Sequence, residues 1–223
     1  MALWLSERPD RLLRLPGVYA PQYDTRAMMR AIRAERLGPG SSVLDIGTGS
    51  GALALYAART GARVTAIDIT RRAVVCARLN AALAGQRITV RRADLATPGR
   101  RFDVVISNPP YVPTPGRLRE PRGAARAWDA GHDGRSVVDR ICAAAPGMLR
   151  PGGVLLMVHS ALSGTGTTLD RLREAGLTAE VIDRELIPLG PVLRSRLPWL
   201  REQRLLEEGE DKEELVVIRA ERP

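Results

Sequence analysis

The segment VLDIGTGSG at residues 43–51 is predicted to be a buried strand that runs into a glycine-rich turn and then into a helix. Gly47 and Gly49 allow the backbone to approach a ligand closely, because glycine has no side chain. Gly51 allows the following helix to pack tightly against its neighbours. The segment therefore predicts an α/β domain with a ligand site at the turn after a buried strand.

Asp45 distinguishes two classes of ligand for this turn. The glycine spacing of the turn also fits the fingerprint of dinucleotide-binding proteins. A carboxylate at this place, however, would repel a pyrophosphate. The ammonium and sulfonium groups of S-adenosylmethionine would be attracted instead, so we expect that cofactor. The alternative is that Asp45 only caps its own turn. The cofactor-binding candidates of this segment are Asp45, Gly47, Thr48, Gly49 and Gly51.

Apolar, β-branched runs alternate with helical periodicity along the rest of the chain, which is typical of a parallel sheet covered by helices on both faces. The predicted strands are residues 42–46, 64–67, 88–91, 102–107, 154–158, 179–183 and 214–219. The predicted helices are residues 26–35, 51–60, 71–82, 136–144 and 167–175. We predict a Rossmann-like α/β fold with a seven-stranded, mostly parallel sheet and one antiparallel edge strand, the last two strands forming an antiparallel pair.

The predicted domain organisation is simple. Residues 1–25 are expected to form an N-terminal arm, and residues 26–223 a single domain. Residues 113–135 are long, rich in glycine and proline, and without clear periodicity. Loops of this length in α/β domains usually carry function, so we expect this one on the substrate side.

Composition limits the function classes further. The chain has 223 residues, of which 44% are hydrophobic, 4% are aromatic and two are cysteines, with a net charge of +9. Two cysteines support neither a disulfide framework nor a multi-ligand zinc site, and no apolar run approaches the roughly 20 residues of a membrane span. We therefore expect a cytoplasmic protein without a metal. The basic surplus favours an anionic partner such as RNA, or an acidic protein, although scattered basic charge is as often only solvated surface.

Two more carboxylates follow the next predicted strands. Asp68 ends the second strand, where an acidic residue typically accepts hydrogen bonds from ribose hydroxyls, and Ile69 would lie against the adenine. The alternative role of Asp68 is to cap the helix predicted at residues 71–82. Asp94, followed by Leu95, comes after the third strand and is placed to accept from the adenine amino group. Carboxylates at successive strand ends are hard to explain by capping alone.

The fourth predicted strand runs directly into Asn108, Pro109, Pro110 and Tyr111, which we call the prolyl turn (residues 108–111). Two prolines stop strand pairing and fix an extended backbone. The Asn108 side-chain oxygen and the Pro109 carbonyl can accept both hydrogens of a planar NH2 group, while Tyr111 packs on that group. The turn predicts methylation of an amide or aromatic amine by positioning and electrostatics, with all four residues as catalytic candidates and Asn108 also as a cofactor-binding candidate. An ordinary strand-ending turn is the alternative.

These motifs resemble those of the class I S-adenosylmethionine-dependent methyltransferases, and most closely the HemK-type glutamine N5-methyltransferases of translation release factors in their short, eukaryotic and archaeal form. The resemblance also covers VYAPQYDT at residues 18–25, WDAGHDGR at residues 128–135 and ELVV at residues 214–217. It implies that Asn108 and Pro109 hold the glutamine amide and that Thr25 lies near the methionine end of the cofactor. Helix capping by Asp24 and Thr25 is equally compatible with the sequence. The resemblance also implies a small activating partner, as in eukaryotes.

Other functions remain open at this point. Similar prolyl turns occur in methyltransferases of DNA adenine and of ribosomal RNA, so the turn indicates a planar NH2 acceptor rather than the molecule that carries it. The chain also has Ala20 and Tyr23 where the family arm is usually acidic, and Ala130 where glycine is common. An amino-methyltransferase of RNA or DNA is therefore the first alternative. A cofactor-binding subunit without activity and a natural-product methyltransferase are further ones.

Overall fold

A computed structural model of the protein describes residues 12–95, 99–115 and 123–223. Residues 1–11 of the predicted arm and residues 116–122 of the predicted substrate-side loop lie outside the described residues. Within the described ranges, strands and helices alternate along the chain as the sequence predicts.

One sheet of seven strands runs through the described part of the chain. Its strands are β1 (Ser42–Ile46), β2 (Arg63–Asp68), β3 (Thr89–Arg92), β4 (Phe102–Ser107), β5 (Leu149–Ser160), β6 (Thr178–Pro188) and β7 (Lys212–Glu221). The bounds of β1 and β4 are those predicted, whereas β5, β6 and β7 extend beyond their apolar runs at both ends. Strand β7 is hydrogen-bonded to both β5 and β6 over many residues, so the backbone ladder continues where the hydrophobic pattern has ended.

One helix precedes β1, and the others lie between consecutive strands along the chain. They are α1 (Tyr23–Ala34), α2 (Ala52–Ala58), α3 (Arg71–Leu83), α4 (Val138–Met148), α5 (Thr165–Glu174), α6 (Pro191–Ser195) and α7 (Leu197–Glu202). The first five agree with the predictions to within a few residues, and α1 takes in the last residues of the predicted arm. The sequence analysis missed α6 and α7, which are too short to show helical periodicity. No helix in the described ranges is both long and apolar enough to cross a membrane.

The strand order is β3-β2-β1-β4-β5-β7-β6. Strands β1 to β5 pair in parallel, and β7 runs antiparallel to both of its neighbours, β5 and β6. The last two strands thus close the sheet as an antiparallel pair, and the predicted fold class is confirmed. From β1 the chain moves outward to β2 and β3 and then returns to place β4 on the other side of β1, which creates the crevice where open α/β sheets bind ligands.

The core consists of two apolar layers on opposite faces of the sheet. In β1, Val43 belongs to the layer under α1, α2 and α3, while the adjacent Leu44 belongs to the layer under α4 and α5. Both side chains are fully buried. Successive strand residues point to opposite faces, so a strand buried on both sides is apolar over most of its length. This double coverage holds the carboxyl ends of β1, β2 and β4 rigidly beside one another.

Candidate active site

A cavity opens at the carboxyl ends of β1, β2, β3 and β4. The residues before α1 close one side of it. The sequence-predicted site residues that line the cavity are Thr25, Asp45, Gly47, Thr48, Gly49, Asp68, Ile69, Asp94, Leu95, Asn108, Pro109, Pro110 and Tyr111. Residues from separate motifs are therefore brought to one place by the fold.

The glycine turn is held open towards the cavity by its backbone. The N–H groups of Gly47 and Thr48 both donate to the carbonyl oxygen of Ile67 on β2, at 2.9 and 3.0 Å. Gly47 and Gly49 have φ angles of +71° and +54°, in the left-handed region that favours glycine. A Cβ atom at Gly47 would meet no atom within 4 Å, so the space beside this residue is available to a ligand.

Gly51 is the one predicted cofactor residue that does not line the cavity. It directly precedes α2 with a φ of +85°, and a Cβ atom there would come within 3.2 Å of the Ala77 Cβ atom on α3. Its role in the structure is the close packing of two helices, which the sequence also predicted for it.

Asp45 lies on the floor of the cavity with 1% of its surface exposed. Its Oδ2 atom accepts hydrogen bonds from the Thr48 hydroxyl at 2.6 Å and from the Ala54 N–H at 3.1 Å. Burial raises the pKa of the Asp45 carboxyl to about 7, and the charge of Asp68 raises it as well, while the two hydrogen bonds lower it. A carboxylate that is costly to ionise in isolation would be stabilised by a positively charged ligand group.

Asp68 joins the end of β2 to the glycine turn. Its Oδ2 atom accepts from the Gly49 N–H at 3.1 Å, and its Oδ1 atom accepts from the Thr70 N–H at 2.8 Å and the Thr70 hydroxyl at 3.0 Å. The N-cap of α3 is Thr70, whose side chain accepts from the Ala73 N–H. Thr70 rather than Asp68 therefore caps α3, and Asp68 remains at the edge of the cavity.

The predicted adenine end of the cavity is more open. Asp94 is half exposed and forms an ion pair with Arg140 on α4, with an oxygen–nitrogen distance of 3.0 Å. Arg140 lines the same cavity and was not predicted from sequence. Leu95 follows with a φ of +62°, and Ile69 lies at the end of β2. A ligand in this part of the cavity would lie next to an arginine–carboxylate pair as well as to apolar side chains.

The prolyl turn leaves the end of β4 and faces the cavity. Within the described residues, neither the Asn108 side-chain amide nor the Pro109 carbonyl has a hydrogen-bond partner. Tyr111 is buried, and its carbonyl oxygen accepts from the Ser163 hydroxyl at 2.8 Å. The two acceptors that the sequence assigned to a planar NH2 group are thus not used by any other residue that the structure describes.

Sequence analysis missed a buried carboxylate beside this turn. Asp24 is 2% exposed, and its Oδ2 atom accepts from the Tyr19 hydroxyl at 2.7 Å and from the Tyr111 hydroxyl at 3.3 Å. Helix α1 begins at Tyr23 after Gln22, so Asp24 and Thr25 lie inside its first turn rather than at its N-cap. The sequence had linked Asp24 only to helix capping, because nothing in the chain order shows that the arm and the prolyl turn meet.

The charge of Asp24 affects the groups around it. It raises the pKa values of the Tyr19 and Tyr111 hydroxyls, although burial is the larger cause for both. It also contributes to the raised pKa of Glu213 on β7, which burial brings to about 7. Both phenols therefore stay protonated and donate to Asp24, which fixes Tyr111 beside the cavity.

The chain matches known methyltransferases in sequence and in structure. Residues 11–117 match the family model of the methyltransferase small domain. One chain of the E. cuniculi Mtq2-Trm112 complex is similar, with a TM-score of 0.67 and 25% identity over 93% of this chain and 99% of that one. That complex is described as responsible for the methylation of the translation termination factor eRF1. The fold and the site thus define a Rossmann-like methyltransferase.

Relatives in sequence narrow the class. A protein of Methanocaldococcus jannaschii, named as a candidate protein N5-glutamine methyltransferase, is 32% identical over 175 residues, which are 78% of this chain and 87% of that protein. The release factor glutamine methyltransferase of Moorella thermoacetica is 40% identical over 154 residues, covering 64% of this chain and 54% of the relative. The chain belongs to the protein N5-glutamine methyltransferase family. It spans little more than half the length of that bacterial relative.

Proposed function

We propose that this protein transfers the methyl group of S-adenosylmethionine to the side-chain amide nitrogen of a glutamine in a peptide chain release factor. The observation that carries the proposal is the prolyl turn, whose Asn108 amide and Pro109 carbonyl line the cavity without partners among the described residues. The Moorella thermoacetica relative is named for the same substrate. The NH2 group of a glutamine amide has two hydrogens to donate, and the side-chain oxygen of Asn108 and the carbonyl oxygen of Pro109 can accept them.

The residues present fit S-adenosylmethionine. The open space beside Gly47 admits a ligand close to the backbone. Asp45, whose pKa is raised to about 7 by burial, favours a positively charged group over a phosphate. Asp68, half-buried at the end of β2, has the position that binds ribose hydroxyls in related sheets. Thr25, Ile69, Asp94 and Leu95 complete the proposed cofactor set.

When bound, the cofactor supplies an electrophilic methyl group on its sulfonium. Asn108 and Pro109 accept the two N–H groups of the glutamine amide and draw its nitrogen lone pair out of conjugation with the carbonyl. Tyr111, fixed by its hydrogen bond to Asp24, packs against the plane of the amide. The nitrogen would form a bond to the methyl carbon as the carbon–sulfur bond of the cofactor breaks, which leaves the sulfur as a neutral thioether, and one N–H proton would pass to water. The contribution of the protein is therefore orientation and hydrogen bonding.

The substitution Asn108→Ala tests this assignment. We expect methyl transfer to fall by about 100-fold or more, because the acceptor amide loses one of two hydrogen bonds that hold the nitrogen. Cofactor affinity, measured by calorimetry, should change by less than about twofold, since Asp45 and Asp68 are intact. Unchanged transfer, or a large loss of cofactor affinity, would remove the prolyl turn from its proposed role.

The same assay addresses the activating partner that the resemblance implied. The E. cuniculi neighbour is a complex with Trm112. Transfer by the isolated chain at full rate would show that no partner is needed. Cofactor binding without transfer to the release factor would favour a required partner.

A further inference from the structure

The chain between β6 and β7 carries an insertion with a small apolar core of its own, which we call the α6–α7 insertion (residues 189–206). Four buried leucines form this core, separate from the two layers on the sheet: Leu189, Leu193, Leu200 and Leu206. Val112 packs against it. Because Val112 directly follows the prolyl turn, the insertion contacts the chain where it leaves that turn.

Arg196 connects the insertion to two segments near the prolyl turn. Its Nη1 atom donates to the Pro113 carbonyl oxygen at 2.8 Å, and its Nη2 atom lies 2.6 Å from the Asp129 Oδ1 atom. The side chains of Arg196 and Asp129 are 16% and 4% exposed, so this ion pair is largely withdrawn from water. The Asp129 Oδ1 atom accepts no hydrogen bond among the described residues, so Asp129 is held by the attraction between the two charges. Salt screens such an attraction less at a buried pair than at an exposed one.

The two partners of Arg196 belong to segments that are hydrogen-bonded to each other. Val112 donates to the Trp128 carbonyl oxygen at 2.8 Å and accepts from the Ala130 N–H at 3.1 Å, so that Val112 and Asp129 form a short parallel bridge. A displacement of Asp129 would therefore be transmitted to Val112 and from there to the prolyl turn.

An aromatic contact joins the insertion to the segment that contains Asp129. The rings of His132 and Trp199 meet edge to face, with 5.3 Å between their centroids. Gly134, two residues further, has a φ of +72°, and a Cβ atom there would collide with the Tyr111 carbonyl oxygen. Residues 128–134 are thus packed closely between the insertion and the prolyl turn.

We propose that the α6–α7 insertion sets the position of the prolyl turn, with Arg196 as the positioning residue that acts through Asp129 and the Pro113 carbonyl. The inference rests on the proposed function, because the turn is where the acceptor amide is expected. Arg196 touches neither cofactor nor acceptor in this assignment. Its effect arises because a small displacement of a group that orients the acceptor lowers the rate of transfer strongly.

Hydrogen exchange followed by mass spectrometry tests the positioning role without any acceptor. In Arg196→Ala, peptides that cover residues 108–114 and 123–135 should exchange at least about tenfold faster than in the unmodified protein, while β1 should exchange as before. The matched control is Arg194→Ala, since Arg194 is an exposed arginine of the same insertion. Unchanged exchange in these peptides, or the same acceleration in the control, would overturn the proposal.

Transfer kinetics provide the second readout. In Arg196→Ala we expect kcat to fall by roughly 10- to 100-fold, with cofactor affinity unchanged within about twofold. A weaker cofactor affinity with unchanged kcat would contradict a role at the acceptor side. If Arg196→Ala does not fold, Asp129→Asn replaces it and should accelerate exchange in the same peptides; normal exchange there would again overturn the proposal. If the unmodified protein methylates no release factor, the proposed function fails, but the exchange result still decides the positioning role.

Discussion

At the scale of single residues, the carboxylates of the site accept hydrogen bonds within the protein and also face the cavity where the cofactor is proposed to bind. One oxygen of Asp45 holds Thr48 and the start of α2, and Asp68 holds the Gly49 N–H. The sequence presented turn capping and ligand binding as alternatives for Asp45. In the structure the two are compatible, because hydrogen bonds within the protein occupy one carboxylate oxygen while the residue still lines the cavity.

The raised pKa of Asp45 predicts a pH-dependent cofactor affinity. The carboxyl is protonated below about pH 7 in the free protein, and only its ionised form attracts an ammonium group. Cofactor affinity should therefore rise about tenfold per pH unit below pH 7 and become constant above it. Calorimetry between pH 5.5 and about 8.5 measures this. Asp45→Asn should bind more weakly with no such slope, and a flat profile in the unmodified protein would contradict the assignment.

Asp68 predicts a second effect on the cofactor. In Asp68→Ala the ribose hydroxyls and the Gly49 N–H both lose an acceptor, so cofactor affinity should fall by about 10- to 100-fold. Asp170→Ala is the control, because Asp170 is an exposed carboxylate on α5, with 66% of its side chain accessible. Equal calorimetric affinities for the two variants would assign Asp68 to turn structure alone.

At the scale of elements, sequence periodicity predicted the bounds of strands that are stabilised by burial. It missed strand ends that are stabilised by backbone pairing, and it missed contacts between segments that are distant in sequence. Strands β1 and β4 are buried over almost their whole length, so their bounds could be predicted. In β6 and β7, polar residues such as Glu185 continue the ladder without a hydrophobic signal. The place of Asp24 beside Tyr111 depends on tertiary structure, and no local pattern encodes it.

The junction of α2 and α3 offers a test at this scale. In Gly51→Ala, the new Cβ atom would lie 3.2 Å from the Ala77 Cβ atom at a φ of +85°. The free energy of unfolding in urea should fall by about 1–3 kcal/mol, from the left-handed backbone and the close contact. Gly38→Ala is the matched control, because no atom lies within 4 Å of a Cβ there, and it should change stability by less than about 0.5 kcal/mol. Equal stabilities of the two variants would contradict the packing role of Gly51.

At the scale of the whole molecule, the strand order explains why motifs far apart in sequence form one site. Strand β1 lies between β2 and β4, so the glycine turn has Asp68 on one side and the prolyl turn on the other. The sequence placed these motifs at the ends of successive strands but did not predict the strand order, which shows that the order of the sheet reverses at β1. The net charge of +9 adds an attraction for anionic partners but does not distinguish an acidic protein surface from a nucleic acid.

The most direct test of the account is the identity of the methylated atom. The protein is incubated with S-adenosylmethionine labelled in its methyl group and, in separate reactions, with release factor, ribosomal RNA and DNA; the products are then mapped by mass spectrometry. We predict label on the side-chain nitrogen of one glutamine of the release factor. Label confined to nucleic acid, or found only on lysine or a carboxylate, would contradict the central claim that the prolyl turn presents a protein glutamine amide for methylation.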